Sequence, residues 1–524
     1  LGRSKIDAQL EKLPHTKPGR QTRYPVKFAE TLRASVSMIL KLNHLKVKAA
    51  ATTQGVIEAV YALVEGGEID QGQFARLQVE LDWIQYKSNF REAVAATQGY
   101  NAFGHSLGQT APIMDVHVDT RQVVPETLRA DLLRAIQRAQ SGAEQDACRL
   151  PLEEFQSLRS SIVWTFNRFF WRHLLAWEAA TGKGYDKALP GGSSDGHNPL
   201  AIADDVAEFL DLLCALQAKN QLPAEVNLLE IGVGNGSRCA QWLDKFLELD
   251  QQRGTGLYSR LCFYMGDYSE DTLNKARLTV AKHIDQCRFV QVDAINPIKS
   301  LAHLRHKILQ VHLTNVYDNL PDEEVVRRDG KLYFVQVRAY VPQTAVNSIG
   351  VKYGIPAELF RDRIYHMLEN GFDSFGGGVE HGVPFWQELW AAIRLEERLV
   401  QLEDLPEFPF PEGLDAGRLE DILQDAPTDF RFHLSSGALE SFIRTLPLLH
   451  SSGYMQVFDI FVTDLAQYRT GFFGPGKLDG SLLNWVNGAL LKEVAQREGY
   501  NVNFRPFKYR ANTHTSILYT TRRE

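Results

Sequence analysis

The chain has 524 residues, 44% hydrophobic and 23% charged, and a formal net charge of −7. Its length suggests two to four domains and a core large enough to need no disulfide or metal staple. The acidity disfavours non-specific binding to nucleic acid or to an anionic membrane, no apolar run is long enough to span a bilayer, and no secretory signal pattern is visible.

The cysteines, Cys148, Cys214, Cys239, Cys262 and Cys287, are odd in number and scattered, without a Cys-x-x-Cys. This predicts a reducing, cytoplasmic setting, with Cys239 and Cys262 as inert core thiols. Residues 1–24 are polar and basic, with Pro14 and Pro18, and read as an extended arm. From about residue 26 to 182 the apolar spacing reads as helical. Phe28, Leu32, Val36 and Leu40 form one such series, and Phe74, Leu77, Leu81 and Ile84 another. The stretch 128–139 is amphipathic, and 155–180 is rich in aromatics. These features predict an all-helical N-terminal domain over 1–182.

Residues 181–199, dense in Gly, Ser, Asp and Pro, read as loop. A helix is expected over 201–216, then the strand Val226–Ile231. Helix 238–249, strand 261–265, helix 270–283 and further short apolar runs at 288–292 and 308–313 follow. Such alternation predicts a parallel sheet with helices on both faces. It breaks at 330–450, which reads as an α+β insertion with a strand pair around 332–341, helices at 357–369 and 386–402, glycines at 376–378 and a Pro-rich stretch at 405–413. The sheet resumes at 455–462, and helix 482–497 and strands 502–509 and 513–521 close the chain. The expected division is 1–182, 183–329, 330–450 and 451–524, with the insertion placed as a cover over a ligand and expected, together with the N-terminal domain, to form the acceptor site. The terminal cluster Arg505, Lys508, Arg510, Arg522 and Arg523 reads as a solvated sheet edge.

The chemistry concentrates in Glu230-Ile-Gly232-Val-Gly234-Asn-Gly236, between an apolar strand and a helix. Glycines permit a tight turn and close approach of a ligand, and the helix start offers unpaired N–H groups. Glu230 can accept from a ligand ammonium or from the turn. The next strand ends in Asp267, where a carboxylate can accept both hydroxyls of a ribose. The third ends in Asp293, where one can accept from an adenine amino group. Acids at consecutive strand ends face one crevice. A dinucleotide fingerprint needs Gly-x-Gly-x-x-Gly, but Ser237 holds its last position and the third glycine falls one residue early.

The pattern Glu-x-Gly-x-Gly-x-Gly resembles motif I of the class I S-adenosylmethionine (SAM)-dependent methyltransferases, and 264–276 and 289–294 resemble that family's next two strand ends. The resemblance covers about 195–321 and 450–524. It implies a doubly wound, seven-stranded Rossmann-like sheet ending in an antiparallel hairpin, SAM as cofactor, and Glu230, Gly232, Gly234, Gly236, Asp267 and Asp293 as its binding residues. The segment from Asn315 to Pro321 is similar to the Asn-Glu-Phe-Phe-Asp-Ala-Leu-Pro motif of MidA-like methyltransferases, with Val316 replacing the family's glutamate. A carboxylate there can grip a guanidinium and valine cannot, which counts against an arginine acceptor. Asp318 is the expected base or acceptor-orienting group, with Asn315 and Tyr317 beside it. The acceptor is read as a small molecule or a protein side chain. The alternative function is a non-catalytic SAM-binding assembly protein. His197 and His381 are secondary site candidates, and no metal-ligand spacing is found.

Overall fold

The computed structural model describes residues 21–26, 36–42, 50–82, 84, 88–97, 99–100, 114–141, 147–185, 192–328, 330–402, 408–424, 426, 429–470 and 474–523. The arm up to residue 20, together with Phe28, Leu32 and the start of the Pro-rich stretch at Leu405, lies outside the described residues.

A seven-stranded sheet holds the centre of the motif-bearing region. Taken in chain order its strands are Val226–Ile231, Leu261–Asp267, Cys287–Gln291, Ile308–Thr314, Leu449–Asp459, Tyr500–Pro506 and Ser516–Arg522. In space the order is third, second, first, fourth, fifth, seventh, sixth. The first five run parallel, and the seventh is antiparallel to both of its neighbours. The first strand is buried at every position, as expected of a central parallel strand covered on both faces. Phe209, Trp242 and Phe246 pack with Leu228, Phe263 and Met265 on one side. Phe442, Leu490 and Val494 pack with Leu229, Val311 and Val457 on the other. The chain reverses its winding between the first and fourth strands, which opens a crevice at their carboxyl ends.

The N-terminal region is not all-helical. Gln21–Val26, Val36–Leu42, Leu77–Asp82, Met114–Asp119 and Val94–Thr97 form a five-stranded sheet in that order. The helical reading of Leu77 and Leu81 fails because Leu77, Val79 and Leu81 are all buried, a period of two that the spacing of four also contains. Met38 and Leu40 repeat the case. The helices Leu128–Ser141, Ile162–Arg172 and Leu174–Thr181 do form where amphipathic or aromatic runs predict them.

A third sheet joins the two ends of this scheme. Phe430–His433, Glu324–Arg328, Lys331–Pro342, Arg394–Gln401 and Gly99–Tyr100 lie side by side, and Arg149–Pro151 and Gln156–Ser157 also pair with Lys331–Pro342. The insertion therefore shares its sheet with N-terminal segments. The helix expected over 386–402 stops at Ala392, and Arg394–Gln401 is a strand. Its Leu, Glu and Arg favour helix locally, but eight ladder positions against Lys331–Pro342 override that weak preference. At the chain end, the helix expected over 482–497 begins only at Gly488, after the short strand Ser481–Leu483.

The basic cluster near the end is offset by acids. Lys508 pairs with Asp204 at 3.0 Å, Arg510 with Asp195 at 2.9 Å, and Arg505 approaches Glu208 at 3.7 Å. All five cysteines are free, and Cys239 and Cys262 are buried. Among the described residues, no helix is long and apolar enough to cross a membrane.

Candidate active site

The crevice is a cavity of about 560 Å³ at the carboxyl ends of the first four strands, within the usual range for small-molecule sites. Glu230, Gly232, Gly234, Asp267 and Asp293 all line it.

The glycine turn is tight. Gly232 has φ +79°, and its N–H donates to Gly266 O at 2.8 Å. A Cβ at Gly232 would stand 2.6 Å from Val316 Cγ2, so the turn and the fourth-strand end touch through this position. Gly236, also at positive φ, starts the helix Ser237–Arg253, and a Cβ there would press on Ala276 at 3.0 Å. Gly236 thus shapes the turn from behind and does not line the cavity.

Asp267 sits at the end of the second strand. Its carboxylate accepts from Gly234 N–H at 3.1 Å and Ser269 N–H at 3.0 Å. Burial outweighs these donors and pushes its pKa up to about 6. Asp293 is exposed at the far end of the cavity, and its Oδ1 accepts from Ile295 N–H at 2.9 Å.

Glu230 is buried and bonded to Arg238, whose other guanidinium nitrogen donates to Asp205 at 2.8 Å. Trp242 Nε1 and Gln310 Nε2 donate to the same Asp205 at 2.9 and 2.6 Å. Sequence reasoning misses Arg238. A signal is present, because a cation in the first turn of a helix opposes the macrodipole and wants an acidic partner.

The fourth-strand end is sorted by a turn. Asn315 lines the cavity in a left-handed conformation at φ +52°, and Val316, Asn319, Leu320 and Pro321 line it beyond. Tyr317 and Asp318 do not. They are 2% and 4% exposed and face the interior. This corrects the expected roles of Asp318 as acceptor base and Tyr317 as orienting group. The cause is Asp459, at the end of the fifth strand. Its Oδ2 accepts from Tyr317 N–H at 2.9 Å and Asp318 N–H at 3.3 Å, which pins the turn from below. Asp318 receives Asn319 Nδ2 at 2.8 Å. Burial, reinforced by the Asp459 charge, holds its carboxyl well above the usual range.

Of the two regions expected at the acceptor site, the insertion and the N-terminal domain, only the N-terminal domain reaches the cavity among the described residues. Among the described residues, none of 330–450 lines it. The cover is the helix pair Ile162–Arg172 and Leu174–Thr181 with the loop after it, presenting Trp164, Asn167, Arg168, Trp171, Leu174, Leu175, Glu178 and Tyr185. Lys275 bonds Glu178 at 2.9 Å, Arg172 donates to Tyr268 Oη at 3.0 Å, and Asn167 Nδ2 donates to Asn319 O at 2.9 Å. These contacts tie the cover to the second- and fourth-strand ends. His197 lines the cavity with Ser194 and Gly196. His381 does not; it is exposed near the start of the helix Val379–Ala392, and its Nδ1 lies 3.0 Å from Gly376 O.

Away from the cavity, ligand atoms of Glu80, Asp82 and His117 lie within 4.8 Å of one another, a grouping made by strand pairing that sequence spacing does not reveal. Arg91 approaches Asp82 there at 3.5 Å.

No family model and no curated protein matches the chain. Among solved structures it is similar to a methyl transferase-like protein of Burkholderia thailandensis bound to S-adenosyl-homocysteine, with TM-score 0.40 and 13% identity over 74% of this chain and 90% of that one. It is also similar to the CcbJ methyltransferase of Streptomyces caelestis, with TM-score 0.30 and 11% identity over 69% and 98% of the two chains. A third is the magnesium protoporphyrin IX methyltransferase of Synechocystis PCC 6803 with bound SAH, with TM-score 0.29 and 11% identity over 68% and 97%.

Proposed function

We propose that the protein is a SAM-dependent methyltransferase. The observation that carries this reading is the convergence of Glu230, Asp267 and Asp293, from three consecutive strand ends, on one cavity at the sheet's switch point. In this reading Asp267 accepts the ribose hydroxyls, and Asp293 with the neighbouring Val292 and Ile295 receives the adenine. The glycine turn, Glu230, Ser194 and Asn315 surround the methionine portion. The dinucleotide alternative has less support, because the turn lacks the third glycine in its place.

SAM supplies an activated methyl group on a sulfonium. The protein's own contribution is then alignment of the acceptor for in-line displacement and exclusion of water by the Trp164–Tyr185 cover. Asn315, Val316 and Asn319, at the fourth-strand end, are placed to shape the approach of the acceptor. MidA-like membership is the finer form of this proposal, supported by Asp318, Leu320 and Pro321, and weakened by Val316 and by a one-residue gap, since Asn315–Pro321 has seven residues and the motif eight.

Calorimetric titration with SAM, SAH and NAD tests the reading. SAM and SAH are expected to bind and NAD not. Binding of NAD without SAM overturns it.

A further inference from the structure

The charges around the cavity are distributed unevenly. Among the described residues its carboxylates are Glu178, Glu230, Asp267 and Asp293, and none stands at the end beyond the fourth strand. Each is engaged: Glu178 by Lys275 and by Tyr185 N–H at 3.1 Å, Glu230 by Arg238, Asp267 by two backbone N–H groups, and Asp293 by Ile295 N–H. Asp318, the one acid in the fourth-strand turn, points into the interior.

One cation breaks this pattern. Arg168 lines the cavity next to Asn167, the residue that bonds Asn319 O, and is exposed. Its hydrogen bond is to Thr165 Oγ1 at 3.2 Å on its own helix, and it has no carboxylate partner among the described residues. The other cations of the wall, Lys275 and Arg238, are neutralised by Glu178, Glu230 and Asp205. The wall at the fourth-strand end is therefore apolar at Val316, Leu320 and Pro321 and amide at Asn315 and Asn319, and the same cavity carries one guanidinium, Arg168, without a carboxylate partner among the described residues. Such a surface attracts an anion with an apolar body and repels an amine or guanidine.

Resting on the methyltransferase reading, we infer that the acceptor is a small apolar carboxylic acid, bound as the carboxylate by Arg168 and methylated on oxygen. A carboxylate oxygen lone pair forms the new O–CH3 bond as the C–S bond breaks, and that bond's electron pair stays on sulfur. Sulfonium and carboxylate become thioether and methyl ester, and no proton moves. The acceptor is ionised at neutral pH without help, so the step needs no general base, in keeping with the inward turn of Asp318. The ester no longer carries the charge that Arg168 holds, which favours its release.

The test uses the whole chain saturated with SAH and two probes of one shape, 2-naphthoate and 2-naphthylmethylamine, in calorimetric titrations. The naphthoate is expected to bind at least about tenfold tighter, with a preference that shrinks as salt rises. Arg168→Gln is expected to bring the two probes within about twofold, and Arg168→Lys to retain part of the difference. Equal binding, tighter binding of the amine, no binding of the naphthoate, or an undiminished preference in Arg168→Gln overturns the assignment while SAH binding still supports the cofactor reading. Absence of SAH binding overturns both.

Discussion

Cofactor affinity is expected to depend on pH through Asp267. Its carboxyl is pushed up to about 6 because burial outweighs the backbone donors of Ser269, Gly234 and Tyr268. A ribose diol donates to the carboxylate and loses that interaction when the group is protonated. The apparent association constant should therefore follow the ionised fraction, which at pH 5 is about one in eleven. That corresponds to about 1.4 kcal/mol relative to high pH, since one pK unit is worth about 1.36 kcal/mol. SAH is the suitable ligand, because its α-amino and α-carboxyl groups keep their charges between pH 5 and 7. Titration calorimetry across that range should show affinity falling about tenfold toward pH 5. Asp267→Asn should bind SAH about 1.5–3 kcal/mol more weakly at pH 7, the scale for a hydrogen bond to a charged group, and should lose the slope. The folding sign runs oppositely. An acid whose folded pKa is raised favours the folded state below the unfolded value near 4, and that contribution is lost as pH rises through about 6. A wild-type affinity that is flat with pH, or an Asp267→Asn variant that keeps the slope, would refute the assignment of Asp267 to the ribose.

Arg238→Met should leave Glu230 and Asp205 as buried, uncompensated acids and cost about 3–5 kcal/mol of stability by denaturant unfolding; a loss under about 1 kcal/mol would contradict the pairing. Gly232→Ala should weaken SAH binding at least tenfold, because the new Cβ meets Val316 at 2.6 Å on a backbone already at positive φ; the double variant Gly232→Ala with Val316→Ala should recover part of the loss if the contact is the cause. Asp318→Asn should leave SAH affinity within about twofold, since the side chain does not reach the cavity. Asp318 has a raised carboxyl, so its contribution to folding is lost as pH rises above the ordinary carboxylate range. Thermal melts from pH 5 to 8 should accordingly show a shallower decline in Asp318→Asn than in wild type.

What is legible in the sequence is local in origin. Glu230, Asp267 and Asp293 each end an apolar run, and parallel strands bring such ends to one edge whatever their spacing, so the run ends alone suffice to place these residues in one crevice. Asp318 escapes the same logic because its direction is set by Asp459, 141 residues away, which takes the turn's N–H groups and rotates the carboxyl inward. The N-terminal sheet is hidden for a different reason. Leu77, Val79 and Leu81 satisfy a strand, while Leu77 and Leu81 with Phe74 also satisfy a helix, and the parallel pairings with Val36–Leu42 and Met114–Asp119 decide between them. The cover illustrates both effects. The aromatic run from Trp164 to Trp177 announces a helical segment with much surface to bury, and two helices form there. That these helices, and not the longer insertion, close over the strand ends follows from Glu178 meeting Lys275 and Asn167 meeting Asn319, contacts that span 97 and 152 residues. Charge complementarity at the acceptor end has the same long-range character. Arg168 stands in the sequence as one more surface arginine, and becomes chemically distinctive only because the fold places it on the cavity wall, where none of the described acids pairs with it.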